Sequence, residues 1–312
     1  MTDIELDFDV YGSEARLSCL ADLYEASTLL GRSITLAQLD ETLADNGLSS
    51  RRKGLFLISN EADFGLSTPL GEDFEPTSWS DSLRSMFRQR MKSLGPDYPF
   101  EFQRERLRIK QGTDVATDGY CRLLRLSLAH AFDSELEVPP SVVFELLVVS
   151  AMSKFGLPSA GVGTAADHAS SDFISALQEA GSAVGLSPSD DPRPRRRYAK
   201  DGGVDVISAL NWRDGRPGQF TWVAQATVGK SGTWEKKLLE PNPKIWGKYL
   251  QNGIEPLVFL AVPHHIEDAH YSYLLERERY LVDRLRLASH ITALEDGEAE
   301  IENWFGRQSA IV

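Results

Sequence analysis

"KDGGVDVISALNWRDGRPGQFTWVAQATVGKSGTWEKK", residues 200 to 237, decides how the chain is read. Two apolar runs flank a Gly/Pro-rich turn, the pattern of a β-hairpin. Each run carries a polar residue where a buried strand would place an aliphatic one: Asp205 in "GVDVISAL" and Gln225 in "FTWVAQATV". Strand periodicity sets Gln225 and Thr227 on one face and Phe220, Trp222, Ala224, Ala226 and Val228 on the other. Pairing Trp212 with Phe220 across the turn lays Asp205 opposite Thr227 and diagonal to Gln225, within about 5 to 8 Å. Three polar side chains then converge in an apolar sheet. Buried polar groups need partners whatever their role, so a purely structural reading stands beside a chemical one.

Outward from the hairpin, "RPRRRYAK" crowds Arg193, Arg195, Arg196, Arg197 and Lys200 around Tyr198. This is either a patch for nucleic acid with a stacking ring, or a solvated linker offsetting Asp190 and Asp191. Upstream, "VPPSVVFELLVVSAMSKFG" predicts a helix over 142–155 behind Pro139 and Pro140, with Ser141 able to cap it. It is apolar nearly all round, which implies burial on several sides, and Glu145 is its one acid. A second helix is expected over Ser170 to Val184, closed by Gly185. Downstream come "WEKKLLEPNPKIWGKYLQ", a helix broken at Pro241 and Pro243, then "IEPLVFLAVP", a buried strand, then "YLLERERYLVDRLRLASHI", read as a last helix. Helices alternating with strands make this half an α/β arrangement. The N-terminal half reads as helical: Ser13 to Leu30, Leu36 to Ala44, a joining loop over 59–79, a helix with a basic side (Arg84, Arg88, Arg90, Lys92) and an apolar helix near 120–132. The expected division is a mainly helical recognition or regulatory region, 1–135, and an α/β domain, 136–312.

The 312 residues are 42% hydrophobic, enough for a real core, and carry a formal net charge of −13. That balance argues against wholesale wrapping of nucleic acid and confines any such contact to a local basic patch. No run reaches the roughly 18 apolar residues of a membrane span, and the acidic start "MTDIELDFDV" lacks a leader's basic region, so a cytoplasmic location without membrane contact is expected. The two cysteines, Cys19 and Cys121, lie far apart and support neither a disulfide framework nor a cysteine zinc site. "GVGT" at 161–164 lacks a phosphate loop's full spacing, and there is no GxSxG elbow. "PHHIEDAH", with His264, His265, Glu267, Asp268 and His270, lacks the HExxH order of a zinc site and reads as a polar loop at the end of a strand.

A carboxylate, a nearby oxygen donor and a lysine together describe a site that holds Mg²⁺ against a phosphodiester. Residues 141 to 266 resemble the restriction-endonuclease-like PD-(D/E)xK nuclease superfamily, and most of all its Mrr-like branch, in which a Gly-x-Asp strand precedes a Gln-x-Lys strand. "GVD" at 203–205 matches the first motif, "QAT" at 225–227 lies at the second, and Glu145 in "VVFELLVV" matches the acid on the first core helix. The resemblance implies a mixed sheet flanked by helices, with Asp205, Gln225 and Glu145 as ligands of Mg²⁺ or Mn²⁺. It implies DNA as substrate and a bacterial defence setting with protein partners, and leaves the oligomeric state open. Thr227 stands where the family has lysine; Lys230 in "VGK" is the first replacement, with Lys200 and Lys237 as the others. Without a competent lysine the same fold would be an inactive DNA- or protein-binding adaptor.

Overall fold

A computed structural model describes residues 16–31, 35–38, 79–103, 105–131, 135–162, 173–189, 203–212, 214–229, 231–291 and 295–307. The chain divides into two units: residues 1–115 with 230–232 and 305–312, and residues 116–229 with 233–304. The expected joining loop up to residue 78, most of the helix expected from Leu36 to Ala44, the basic cluster from Arg193 to Lys200, and Lys230 lie outside the described residues.

In the first unit, α1 (Arg16–Leu29) packs on α2 (Trp79–Leu94), and β1 (Phe100–Gln103) pairs antiparallel with β2 (Arg106–Ile109). The basic side expected for α2 is split: Arg88 and Lys92 are exposed, whereas Arg90 turns inward. Arg90 is fully buried and forms ion pairs with Asp22 (2.9 Å) and Glu25 (2.8 Å) of α1, and Tyr98 also donates to Glu25. Arg84 instead pairs with Asp81 and Glu105. A buried charge needs compensation, and two carboxylates on one face of α1 supply it.

The second unit is a mixed sheet of five strands in the order β3-β4-β5-β6-β7: β3 (Ser159–Gly161), β4 (Val206–Leu210), β5 (Phe220–Ala226), β6 (Leu257–Ala261) and β7 (Tyr280–Val282). The first three strands run antiparallel, and β6 and β7 join parallel. Parallel neighbours need crossovers. These are α6 (Trp234–Leu239) with α7 (Pro243–Tyr249) between β5 and β6, and α8 (Asp268–Leu275) between β6 and β7. The break at Pro241 and Pro243 is as expected. Pro243 opens α7 at the position that needs no N–H, and the Asn242 side chain caps the amides of Lys244 and Ile245.

One sheet face is covered by α3 (Gly119–Ala131) and α4 (Pro140–Lys154): Val143, Phe144, Leu147 and Val148 pack on Val206, Ala224, Ala226 and Phe259. Pro140, not Ser141, begins α4, since its fixed φ suits the first helical position. The helix is apolar all round because α3 covers it on one side and the sheet on another. The expected boundary at 135 places α3 in the N-terminal region, whereas its Leu123, Leu126 and Ala129 enter this cluster. The opposite face is covered by α5 (Phe173–Ala183) and α7, with Leu177, Trp246 and Tyr249 on Ile207, Val223 and Val258. Trp234, Leu238 and Leu274 of α6 and α8 pack there on Leu260 and Leu281. After α5 the chain turns at Gly185, whose φ of 75° is the left-handed stop that glycine adopts freely.

The stretch read as one last helix is not one. Glu278 at φ 55° ends the segment after α8, Tyr280–Val282 pairs with β6, and Asp283 accepts from the Arg286 amide to start α9 (Arg284–Leu287). A further helix, α10 (Glu298–Gly306), follows.

Candidate functional site

The site is built where β4 begins and β5 ends. Gly203 enters it at φ 73°, and a Cβ there would stand 3.1 Å from the Glu240 backbone, so the "GVD" turn needs glycine both for its conformation and for its approach to the end of α6. Val204 and Ile207 enter the same core cluster though three residues apart, so alternation is broken between them. The Asp205 N–H donates to Ala224 O (2.8 Å), while the ladder pairs Ala224 with Val206. Two successive residues thus address one on the partner strand, the pattern of a β-bulge, a device that re-aims side chains beside functional sites.

The register differs from the expected one by two residues: Leu210, not Trp212, faces Phe220. A shift of two keeps the side chains of β5 on their expected faces. Ala224, Ala226 and Val228 enter the cluster under α4, and Gln225 shares the opposite face with Val223. The partners change, however. Asp205 meets Gln225 and Ala226 rather than Thr227: the Gln225 amide and the Ala226 N–H (2.8 Å) both donate to one Asp205 carboxylate oxygen. Thr227 turns away and accepts from the Gly229 N–H at 3.1 Å.

Asp205 and Gln225 are each only 5% exposed. With its N–H₂ on Asp205, the Gln225 side chain leaves its carbonyl oxygen Oε1 buried without a hydrogen-bond partner among the described residues. An orphaned buried acceptor costs free energy on the order of 1–3 kcal/mol. It is the kind of atom a hard cation or an ordered water would satisfy.

Glu145 is buried in α4, the helix on the face opposite Gln225. Asp205 and Gln225 meet as a pair, and Glu145 is carried by the helix that packs over the face of Val206. Among the described residues no group of three or more His, Cys, Asp or Glu side chains is placed to hold a metal. Asp205 and Glu145 with an amide would contribute only two of those types, so this finding does not bear on an Asp–Gln site.

Of the three replacement lysines, Lys237 is described; it forms an ion pair with Glu240 at 2.9 Å, beside the Gly203 turn. The segment after Thr227 is held by Trp234, whose indole donates to Gly229 O (2.9 Å), and by His264, whose Nε2 lies 3.1 Å from Val228 O. His264 thus sits at the same sheet end as Asp205, as a loop at a strand's carboxyl end should. His270 stacks on Trp234 at 5.3 Å, and burial lowers its pKa to about 4 despite the nearby Glu235 carboxylate. Sequence spacing did not mark His264 or Trp234 as neighbours of the site; the "HH" after a buried strand was the available signal.

A separate cavity of about 100 Å³ lies against Arg122, Arg125, Glu295 and Glu298, and none of its lining residues was singled out in the sequence. There Arg122 and Glu298 form a buried two-pronged ion pair, and burial raises the Glu295 pKa. Among the described residues no helix is long and apolar enough to cross a membrane. Comparisons with protein-family models, with curated proteins and with solved structures found no match for this chain.

Proposed function

We propose that the second unit is a metal-dependent nuclease acting on DNA phosphodiesters, with the restriction-endonuclease-like core that its motifs resemble and the defence setting that this resemblance implies. The observation that carries the reading is the Asp205–Gln225 pair: a buried carboxylate on a bulged strand start, beside an amide oxygen with no hydrogen-bond partner among the described residues. Asp205 and Gln225 would supply two hard oxygen ligands to Mg²⁺ or Mn²⁺, which keep several waters and need no all-protein cage. When bound, such an ion supplies a Lewis acid that activates a water and stabilises charge on the phosphate. Glu145, buried on α4, stays proposed as the third ligand. Lys230 remains the residue proposed to position the attacking water, with Lys237 second, and the Arg193 to Arg197 cluster with Lys200 is the proposed track for the DNA backbone.

The test is cleavage of plasmid, linear duplex and single-stranded DNA with Mg²⁺ or Mn²⁺ by the wild type, Asp205→Asn and Lys230→Ala. Cutting by the wild type alone, with all three proteins folded, is expected. Cutting that survives Asp205→Asn overturns the assignment. Thr227 at the family's lysine position favours a second reading, an inactive adaptor with the same fold. It would give DNA retention on a native gel without cleavage in either metal.

A further inference from the structure

The α6–α7 crossover holds four lysines between residues 236 and 248 (Lys236, Lys237, Lys244 and Lys248) against one carboxylate, Glu240, in a chain whose formal net charge is −13. Later in the same unit the charge runs the other way: residues 295–302 carry five carboxylates and no lysine or arginine. Charge segregated in this way sets up a local positive field on an acidic protein. Lys237 is tied to Glu240 at 2.9 Å, whereas Lys236, Lys244 and Lys248 are exposed and form no ion pair among the described residues.

Packing of the crossover fixes where these charges lie. Trp246 and Tyr249 of α7 enter the core with Val223 and Val258, and Trp234 and Leu238 of α6 do so with Leu260. Lys244 and Lys248, four residues apart, share the other side of α7, and Lys236 lies midway between the two buried residues of α6, on its outer side. Both helices cover one face of the sheet, so the three lysines belong to one outer layer. That layer adjoins the candidate site. The end of α6 at Glu240 is the backbone that the Gly203 turn approaches, and two residues later Asn242 caps α7. Lys244 therefore stands at the start of a helix that begins beside the Asp205 strand, and Lys248 lies about 6 Å further along it.

We infer that Lys236, Lys244 and Lys248 hold the phosphate backbone of duplex DNA beside the Asp205–Gln225 pair. The inference rests on the nuclease reading for its ligand and names the form that the ligand takes. Surfaces that hold single strands interleave cations with rings on which bases stack. Here the large rings of the crossover, Trp234, Trp246 and Tyr249, are buried (3%, 0% and 5% exposed), which leaves charge without a stacking platform. A surface of charge alone meets phosphates and reads no base edges, so it takes a duplex whatever its sequence.

The experiment is titration of a fluorescently labelled duplex with the full chain in EDTA, where nothing is cut. Three phosphate contacts give a slope of log K against log salt of about −2.7, so affinity should fall at least about 40-fold between about 50 and 200 mM salt. The double variant Lys244→Ala with Lys248→Ala should lose about 1.8 of that slope. The double variant Lys244→Arg with Lys248→Arg should keep it, since arginine carries the same charge. Lys154→Ala, at an exposed lysine of α4 over the other sheet face, should bind like the wild type, with urea unfolding curves showing every variant folded. Two duplexes of unrelated sequence should bind alike, and each more tightly than its single strand. A wild type that holds no duplex in EDTA overturns the inference, as does a slope unmoved by the double alanine variant, or a single strand held more tightly than the duplex. Duplex binding with the expected lysine dependence, by a protein that cuts no DNA in Mg²⁺ or Mn²⁺, upholds the inference while the nuclease reading fails.

Discussion

Replacing Gln225 by leucine separates a residue kept for chemistry from one kept for the fold. The side chain is buried in the sheet beside Leu260, its register partner on β6, and leucine occupies a similar volume. The change removes the amide's hydrogen bond to the Asp205 carboxylate, a loss of about 1.5–3 kcal/mol for a bond to a charged group. It also removes the orphaned Oε1, which relieves a desolvation cost of about 1–3 kcal/mol. Asp205 keeps the Ala226 N–H at 2.8 Å. The opposing effects nearly cancel, so Gln225→Leu should unfold in urea, without added metal, within about 1 kcal/mol of the wild type and with an unchanged m-value. A loss beyond about 3 kcal/mol would show that the amide holds the strand ends together and that Oε1 is not a dispensable burden. The reasoning would then be wrong.

Two further predictions rest on the same unit. Gly203→Ala places a Cβ at φ 73° and 3.1 Å from the Glu240 backbone, and should cost about 2–3 kcal/mol in urea unfolding; a variant as stable as the wild type would mean that the turn is looser than its geometry implies. His270 has a folded pKa of about 4, below its ordinary value, so it resists the proton that the unfolded chain accepts. Stability should fall as pH drops from about 6.5 to 4, by ~2–3 kcal/mol from this group, and be unaffected by it above that range. His270→Phe, which keeps a ring on Trp234, should flatten the slope, and an unchanged slope between pH 6.5 and 4 would refute the attribution.

Periodicity carried much of this architecture into the sequence. The faces of β5 follow from alternation alone, and α4, α5 and the broken α6–α7 pair follow from apolar spacing and proline. The hairpin register did not follow, because it is set by side chains rather than by turn residues. The Trp212 N–H is taken by the Gln219 side chain at 2.7 Å, which ends the ladder at Leu210, and Asn252 accepts from the Gly218 and Gln219 amides. Nothing in the spacing of "NWRDGRPGQ" announces an amide that substitutes for a strand partner. The short strands β3 and β7 were hidden for a related reason: three residues are too few for alternation to register. "YLV" also sits in a charged, leucine-rich run whose helical pattern is broken by the left-handed turn at Glu278. At the site, polar residues in apolar strands pointed to Asp205 and Gln225. Their direct bond depends on the register, which the turn residues do not announce.

Calorimetric titration of Mn²⁺ into the wild type and Asp205→Asn tests the central claim most directly, since it asks whether the pair holds a metal before any question of substrate. The account predicts one Mn²⁺ site in the wild type that is lost in Asp205→Asn while the variant stays folded. A wild type that takes up no Mn²⁺, or a variant that binds it as well as the wild type, would contradict the account.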